Sequence, residues 1–304
     1  MKERKTLLGH LTAIGTIFLW GTTYIATKKL LGDFSPVDIL IFRFVIGYIV
    51  LWILHPRRLP VQSRKVELYL AGAGLSGVTL YFLFENTALT YTLASNVGVI
   101  VSIAPLLTAL LASLFLGEKK LSVQFMIGFV VAMTGIILIG YNGSFILKLN
   151  PLGDILATLS AVLFATYSII MRKISEYNLN ILALTKRMFF YGLLFMMPTL
   201  LWMDFNPDVT RLANTTNLIS MLFLGVGASA ICYGSWNWAV GILGPVKTSV
   251  YIYMVPVVTI VSAAMFLDER LNWVSISGAC LTLAGLYISQ RKLNQNNHRI
   301  KTDD

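Results

Sequence analysis

The chain has 304 residues, of which 56% are hydrophobic and only 12% charged, with a mean hydropathy of +0.73. That balance excludes an ordinary water-soluble domain, in which about a quarter of residues carry charge. The formal charge of +10 would by itself suggest a nucleic-acid partner, but its distribution along the chain points to a membrane instead and to no nucleic acid.

A helix needs roughly 20 apolar residues to cross a bilayer core. Ten such runs are predicted at about 8–28, 37–55, 67–90, 94–116, 122–140, 152–171, 179–201, 216–240, 244–267 and 272–290. The opening "MKERK" resembles the charged start of a signal peptide. The apolar run after it is too long and lacks a small-residue cleavage site, so it reads as the first span. It carries Trp20 and Tyr24.

The second span holds Arg43 and the third holds Tyr81, Glu85 and Asn86. Charged residues are rare inside spans, and each is a functional candidate. Arg43 and Glu85 sit at matching depth. They either form an ion pair near the outer mouth that helps the helices pack, or Glu85 is a proton-coupling carboxylate that takes up a proton when the cavity closes and loses water. The third span also contains "GAGLSG", a letter-for-letter match to a dinucleotide-binding fingerprint. No strand precedes it and no acidic residue follows at the required distance. Small residues that allow close helix packing explain it better.

The fourth span offers Asn96 and Ser102 and contains Pro105, and the ninth offers Tyr251 and Tyr253 and contains Pro256. Both prolines fall near the bilayer midplane, where a missing amide donor and a displaced carbonyl either make a packing kink or leave acceptors facing a wet cavity. The sixth span adds Tyr167, the seventh Arg187, and the eighth Trp236 and Asn237. Trp20, Tyr24, Tyr81, Asn86, Asn96, Ser102, Tyr167, Asn237, Tyr251 and Tyr253 are the candidate solute-binding residues; Glu85, Arg43, Arg187 and Trp236 are the candidates for coupling or gating. The cysteines, Cys232 and Cys280, fall within spans and imply no disulfide framework.

The second half of the chain repeats the first. Shifting the sequence by 151 places Asn86 on Asn237, Val99 on Val250, Pro105 on Pro256 and Thr108 on Thr259. A shift of 144 brings Arg43 onto Arg187, and a shift of 150 brings Gly128 and Gly135 onto Gly278 and Gly285. Glu85 aligns with Trp236, so a cation–π contact to Arg187 is expected to replace the charge pair there. Five helices per repeat is an odd number, so the copies enter the membrane from opposite faces. The expected fold is an all-α membrane protein of ten transmembrane helices in two inverted five-helix repeats, 8–140 and 151–290, followed by a polar tail at 291–304. Inverted repeats recur in secondary transporters, with solute near the midplane. The four glycines pack helices within one chain or between chains, which leaves a homodimer open.

With both termini placed in the cytoplasm, about sixteen lysines and arginines fall inside, among them Arg57, Arg58, Arg64, Lys65, Arg172 and Lys173. About five (Lys28, Lys29, Lys148, Arg211 and Arg270) fall outside, as the positive-inside rule requires. Basic clusters at the surface would also touch anionic lipid. The three histidines lie at span ends or in the tail, so no intramembrane metal cluster or hydrolytic triad can be assembled. With no Walker sequence either, the chain is read as neither enzyme nor ATP-driven pump, with no cofactor and no metal.

Three stretches, "FLWGTTYIATKKL", the "FRF" around Arg43, and "ENTALTYTLASNVGVIVSIAPLLTALLASLFLGEKKL", resemble the EamA family of the drug/metabolite transporter superfamily. The resemblance covers about residues 8 to 290, one unit per half, although "ILGPVKTS" in the second half departs from the Tyr-Thr-Ala-Ser form of the first. It implies a bacterial inner-membrane carrier, most often an exporter of amino acids or related small metabolites, with its cavity between the halves. Its partners are then a small solute, membrane lipid and a candidate coupling proton. Distant relatives, the small multidrug-resistance proteins, carry a proton-binding glutamate in the first helix, and the first helix here has no carboxylate. An uptake carrier, or a solute channel or receptor without ion coupling, is the alternative.

Overall fold

The computed structural model describes residues 2–60, 63–92, 94–117, 121–140, 150–201, 205–266 and 273–299, the side chains of Lys2, Tyr24, Lys28, Ala94, Ser95, Asn96, Ala263, Phe266 and 291–299 excepted. These residues are overwhelmingly helical, with no strand among them. In chain order the rods are α1 (Lys2–Leu30), α2 (Pro36–Leu54), α3 (Arg64–Tyr91), α4 (Ala94–Val101 and Ala104–Phe115), α5 (Val123–Gly140), α6 (Pro151–Ser175) and α7 (Ile181–Leu201). They continue with α8 (Thr215–Leu243), α9 (Pro245–Ser249, Val250–Tyr253 and Met254–Phe266) and α10 (Trp273–Arg299).

Seven of these, α2, α3, α4, α6, α7, α8 and α9, are long and apolar enough to cross a membrane by length and composition. The apolar stretch of α5, Val123–Ile139, is shorter. The rods begin where local chemistry dictates. Ser35 and Asp38 form a reciprocal capping box ahead of Pro36, which satisfies two otherwise orphaned amides. Asn150, Asn180 and Asn214 cap α6, α7 and α8 with their side-chain oxygens. Gly244, with φ of +85°, makes the sharp link between α8 and α9; an L side chain would be strained there. The last helix runs on to Arg299, into the stretch expected as a polar tail.

Packing partners come in pairs that exchange when the two halves exchange. Helix α3 packs on α6 and α1 on α8; α3 packs on α7 and α2 on α8; α4 packs on α6 and α1 on α9. The remaining large contacts, α2 with α7 and α5 with α10, join equivalent helices. Glycines permit the closest of them. A Cβ on Gly74 would lie 2.6 Å from the Met188 carbonyl in α7, and one on Gly285 would lie 2.3 Å from the Ala132 amide in α5. Gly128, Gly135, Gly278 and Gly285 all face the partner backbone between α5 and α10 of the same chain. This resolves the two options left by the sequence for these glycines: they close a seam within the chain.

Both mid-span prolines follow a break in regular helix. Residues 102–103 separate the two pieces of α4, with Pro105 in the first turn of the second piece. A 3₁₀ turn over Val250–Tyr253 precedes the piece of α9 that holds Pro256. Two further irregularities occupy equivalent places: π-helical turns at Leu75–Leu80 in α3 and Phe223–Ile231 in α8.

Candidate functional site

The buried core is built around Phe44, Tyr167, Phe189, Tyr233 and Trp236. Above this block, toward the end of the bundle that carries the α1–α2 loop, lies a cavity of about 650 Å³, counting the solvent space that opens from it. The first half contributes Trp20 and Thr23 from α1, Arg43 from α2, Tyr81, Phe82 and Glu85 from α3, and Gly98 and Ser102 from α4. The second half contributes Phe164, Tyr233, Ile252 and Val255. The cavity therefore sits between the halves.

Two ionisable side chains of opposite sign define it. Arg43 is buried, donates from Nε to the Ser229 hydroxyl at 3.0 Å, and holds its guanidinium 4.2 Å from the Phe82 ring centroid and 5.2 Å from that of Phe44. Such cation–π contacts partly replace the water a buried guanidinium loses. One turn along α3 from Tyr81, Glu85 accepts the tyrosine hydroxyl at 2.8 Å. Glu85 lies within electrostatic range of Arg43. The two charges thus share one cavity and each has neutral partners of its own.

The π turns anchor two of the wall residues, Tyr233 and Trp20. The carbonyl of Gly77 accepts the hydroxyl of Tyr233, and the carbonyl of Ala228 accepts the indole N–H of Trp20 at 3.0 Å. Each bond crosses from one half to the other. Gly77 must be glycine because the Tyr167 ring covers it, 2.4 Å from where a Cβ would stand. The "GAGLSG" stretch is therefore a packing and carbonyl-presenting element.

The other sequence candidates fall elsewhere. Asn86 is buried and donates to the Pro36 carbonyl at 3.4 Å, tying α3 to the start of α2. Tyr167, Asn237 and Thr185 form a closed buried chain, with Tyr167 donating to Asn237 and the Asn237 amide donating to Thr185 at 3.1 Å. Tyr251 hydrogen-bonds His10 at 2.7 Å, toward the end that carries the N-terminus. Tyr253 is fully buried in a second core with Phe125, Ile136 and Val250, and its hydroxyl has no partner among the described residues. None of these five lines the cavity: the polar atoms of Asn86, Tyr167, Asn237 and Tyr251 are turned into contacts with other helices, and the Tyr253 ring is packed into its own core. The side chains of Tyr24 and Asn96 lie outside the described residues.

Arg187 occupies a different setting from Arg43. It pairs with Glu67 at 3.3 Å, Tyr191 donates to the same carboxylate, and its guanidinium lies over Phe190 and Tyr191. The expected cation–π partner, Trp236, instead packs on Trp20, with ring centroids 5.0 Å apart. Arg187 lies nearer the surface, where an acidic partner on α3 is within reach and Trp236 is not. Beside it, Lys186 donates to the His55 and Arg57 carbonyls at the end of α2. These contacts fasten the two halves together at the end carrying the N-terminus.

Thr23, Phe82, Phe164, Tyr233 and Ser229 are site residues that sequence reasoning missed. One signal was available: the glycine-rich stretches "GAGLSG" and "LGVGASA" stand one repeat apart and mark where the helices deform.

A bundle of apolar helices around a cavity with one cation, one carboxylate and an aromatic wall is the architecture of a multi-pass membrane protein. The chain belongs to the EamA-like transporter family, whose model matches residues 7–141 and again 151–290; its homologues are transporters of the drug/metabolite transporter superfamily. An "Uncharacterized transporter" of Archaeoglobus fulgidus is 28% identical over 294 residues, covering 94% of this chain and 98% of its own length. The "Probable amino-acid metabolite efflux pump" of Escherichia coli is 24% identical, covering 91% of this chain and 93% of that protein. The "Probable terminal-alkyne amino-acid exporter" of Streptantibioticus cattleyicolor is 25% identical, covering 91% of each chain. One solved crystal structure superposes with a TM-score of 0.73 at 18% identity, covering 97% of this chain and 99% of that one, which shows the fold alone.

Proposed function

We propose that this chain is a secondary-active carrier of the inner membrane that exports amino acids or related small metabolites by alternating access. One observation carries the reading: Arg43 and Glu85 share a cavity walled by Trp20, Tyr81, Phe82, Phe164 and Tyr233 between the two family units. A zwitterion with an apolar side chain matches that wall, its carboxylate toward the guanidinium and its ammonium toward Glu85. The names of the Escherichia coli and Streptantibioticus relatives support the same solute class.

In this reading ten helices cross the membrane as two inverted repeats, with both termini in the cytoplasm. The α1–α2 loop then lies outside and the cavity belongs to the outward side. The aromatic block beneath it, with the Lys186 and Arg187 contacts, closes the path to the cytoplasm. Exchanging the shapes of the two halves opens that path and closes the other. Glu85 is the candidate carboxylate for a coupling proton.

The test is counterflow of labelled amino acids into proteoliposomes, paired with a comparison of medium and cytosol in cells overproducing the protein. Saturable counterflow, together with a solute that accumulates outside only with intact protein, supports the proposal. Flux that does not saturate means a channel, and accumulation inside means an uptake carrier.

A further inference from the structure

A second pocket lies away from the solute cavity, at the end of the bundle that carries the N-terminus. The first turns of α3 meet the last turns of α6 and the end of α4 there. It is lined by Lys65, Tyr69, Phe115, Leu116, Arg172, Lys173, Glu176 and Tyr177. The Nζ atoms of Lys65 and Lys173 lie 5.9 Å and 6.0 Å from the Tyr69 ring centroid, and Lys173 lies 5.9 Å from that of Phe115. Two lysines thus converge on the half-buried Tyr69 and, for Lys173, on the exposed Phe115, with Arg172 on the same wall.

Among the described residues their charge is not neutralised by an acidic partner. Among the described residues neither Lys65 nor Lys173 has an acidic partner within 4.0 Å, and Arg172 directs one guanidinium nitrogen to the Gly241 carbonyl at 3.1 Å. Glu176 is the single carboxylate on the wall. Lysine and arginine at the end of α6 also complement its helix dipole, but Lys65 belongs to the opposite, N-terminal end of its helix, where a cation gains nothing from the dipole. Membrane orientation accounts for basic residues at this end; their convergence on one pocket is what points to a ligand.

The rim identifies the ligand class. Leu68, Leu114 and Phe115 flank the pocket and are 72%, 74% and 61% exposed. In a membrane protein such side chains face acyl chains, so the pocket joins a cationic floor to an apolar perimeter. We infer that Lys65, Arg172 and Lys173 bind the phosphate of an anionic phospholipid, whose acyl chains lie along Leu68, Leu114 and Phe115. The phosphate diester takes charge-assisted hydrogen bonds from the cations, and Tyr69 and Tyr177 sit at headgroup depth, as interfacial tyrosines do. Basic pockets between helices at the cytoplasmic leaflet hold anionic headgroups in this way. The inference rests on the orientation proposed above for the choice of leaflet, and not on transport.

Native mass spectrometry and thermal unfolding of the full chain in detergent, titrated with phosphatidylglycerol, phosphatidylcholine or inorganic phosphate, test it. Phosphatidylglycerol is expected to be retained at a saturable site and to raise the unfolding temperature, with phosphatidylcholine and phosphate ineffective. The Lys65→Ala/Lys173→Ala double variant should lose at least tenfold in phosphatidylglycerol retention while remaining monodisperse. If that variant does not fold, Glu176→Gln serves instead, with tighter retention expected. Equal retention of both lipids, no change in either variant, or equal protection by inorganic phosphate would overturn the assignment. All of these readings are made without transport, so a failure here and a failure of the carrier proposal are distinguishable.

Discussion

Gly77 and Ala228, 151 positions apart, hold the same place in the two halves, and each gives its carbonyl to an aromatic donor from the other half. Both carbonyls lie in π-helical turns, and these turns cluster at functional sites. Two long-range bonds from Trp20 and Tyr233 thereby fix both walls of the solute cavity to deformable stretches of helix.

Tyr233→Phe and Trp20→Phe should each lower stability by about 0.5–1.5 kcal/mol, the usual net worth of one such bond. Thermal unfolding in a fixed detergent measures it. Loss from one variant alone would show that the paired bonds are not equivalent.

Arg43→Lys should keep the fold and lose at least tenfold in counterflow rate. A lysine ammonium cannot offer both the planar face that stacks on Phe82 and the Nε donor to Ser229. Unchanged flux would remove Arg43 from the solute site.

Glu85→Gln should flatten the dependence of transport on pH while preserving the hydrogen bond from Tyr81. Counterflow rates measured from pH 5 to 9 in both proteins decide it. A profile identical to that of the unsubstituted chain ends the coupling assignment.

Gly285→Ala forces a methyl against the Ala132 amide and should cost about 1–3 kcal/mol, as overpacking does. Gly15→Ala, with nothing within 4 Å of its added Cβ, is the matched control and should be tolerated.

Asn237→Leu strands the Tyr167 hydroxyl and Thr185 in a buried setting. A loss of about 1–3 kcal/mol is expected from unsatisfied groups of this kind, with the affinity for solute unchanged because neither group lines the cavity. A shift in the KM for solute larger than the drop in stability explains would place this trio in the site after all.

The helical rods and the two-unit repeat were legible because apolar run length and repeat offset are one-dimensional signals. The predicted span 37–55 is α2 at Pro36–Leu54, and 216–240 is α8 at Thr215–Leu243, whose capping residue Asn214 sits just outside the run. Both prolines stand just after a break in regular helix, Pro105 after residues 102–103 and Pro256 after the 3₁₀ turn at Val250–Tyr253. The cavity was only partly legible. Arg43, Glu85, Trp20, Tyr81 and Ser102 line it, and sequence had picked out all five. Asn86, Tyr167, Asn237 and Tyr251 were candidates for the same reason, a polar group at helix depth, yet each is satisfied by another helix. Sequence cannot separate those cases, because which face a side chain takes depends on helix rotation. The π turns add to the difficulty by shifting that rotation partway along α3 and α8.

The glycine seam between α5 and α10 also sets the mechanics of the molecule. Neither helix contributes a residue to the solute cavity, and their backbones are in contact along several turns. The seam is then the spine of a book: the pages can swing, but the binding keeps its length. If the halves exchange shapes as proposed, displacement is expected to be smallest at that spine and to grow toward helices α1 to α4 and their counterparts. On that reading a covalent staple across it is expected to act as a brace that costs no throughput, and a staple of the same length between Lys186 and the end of α2 as a lock.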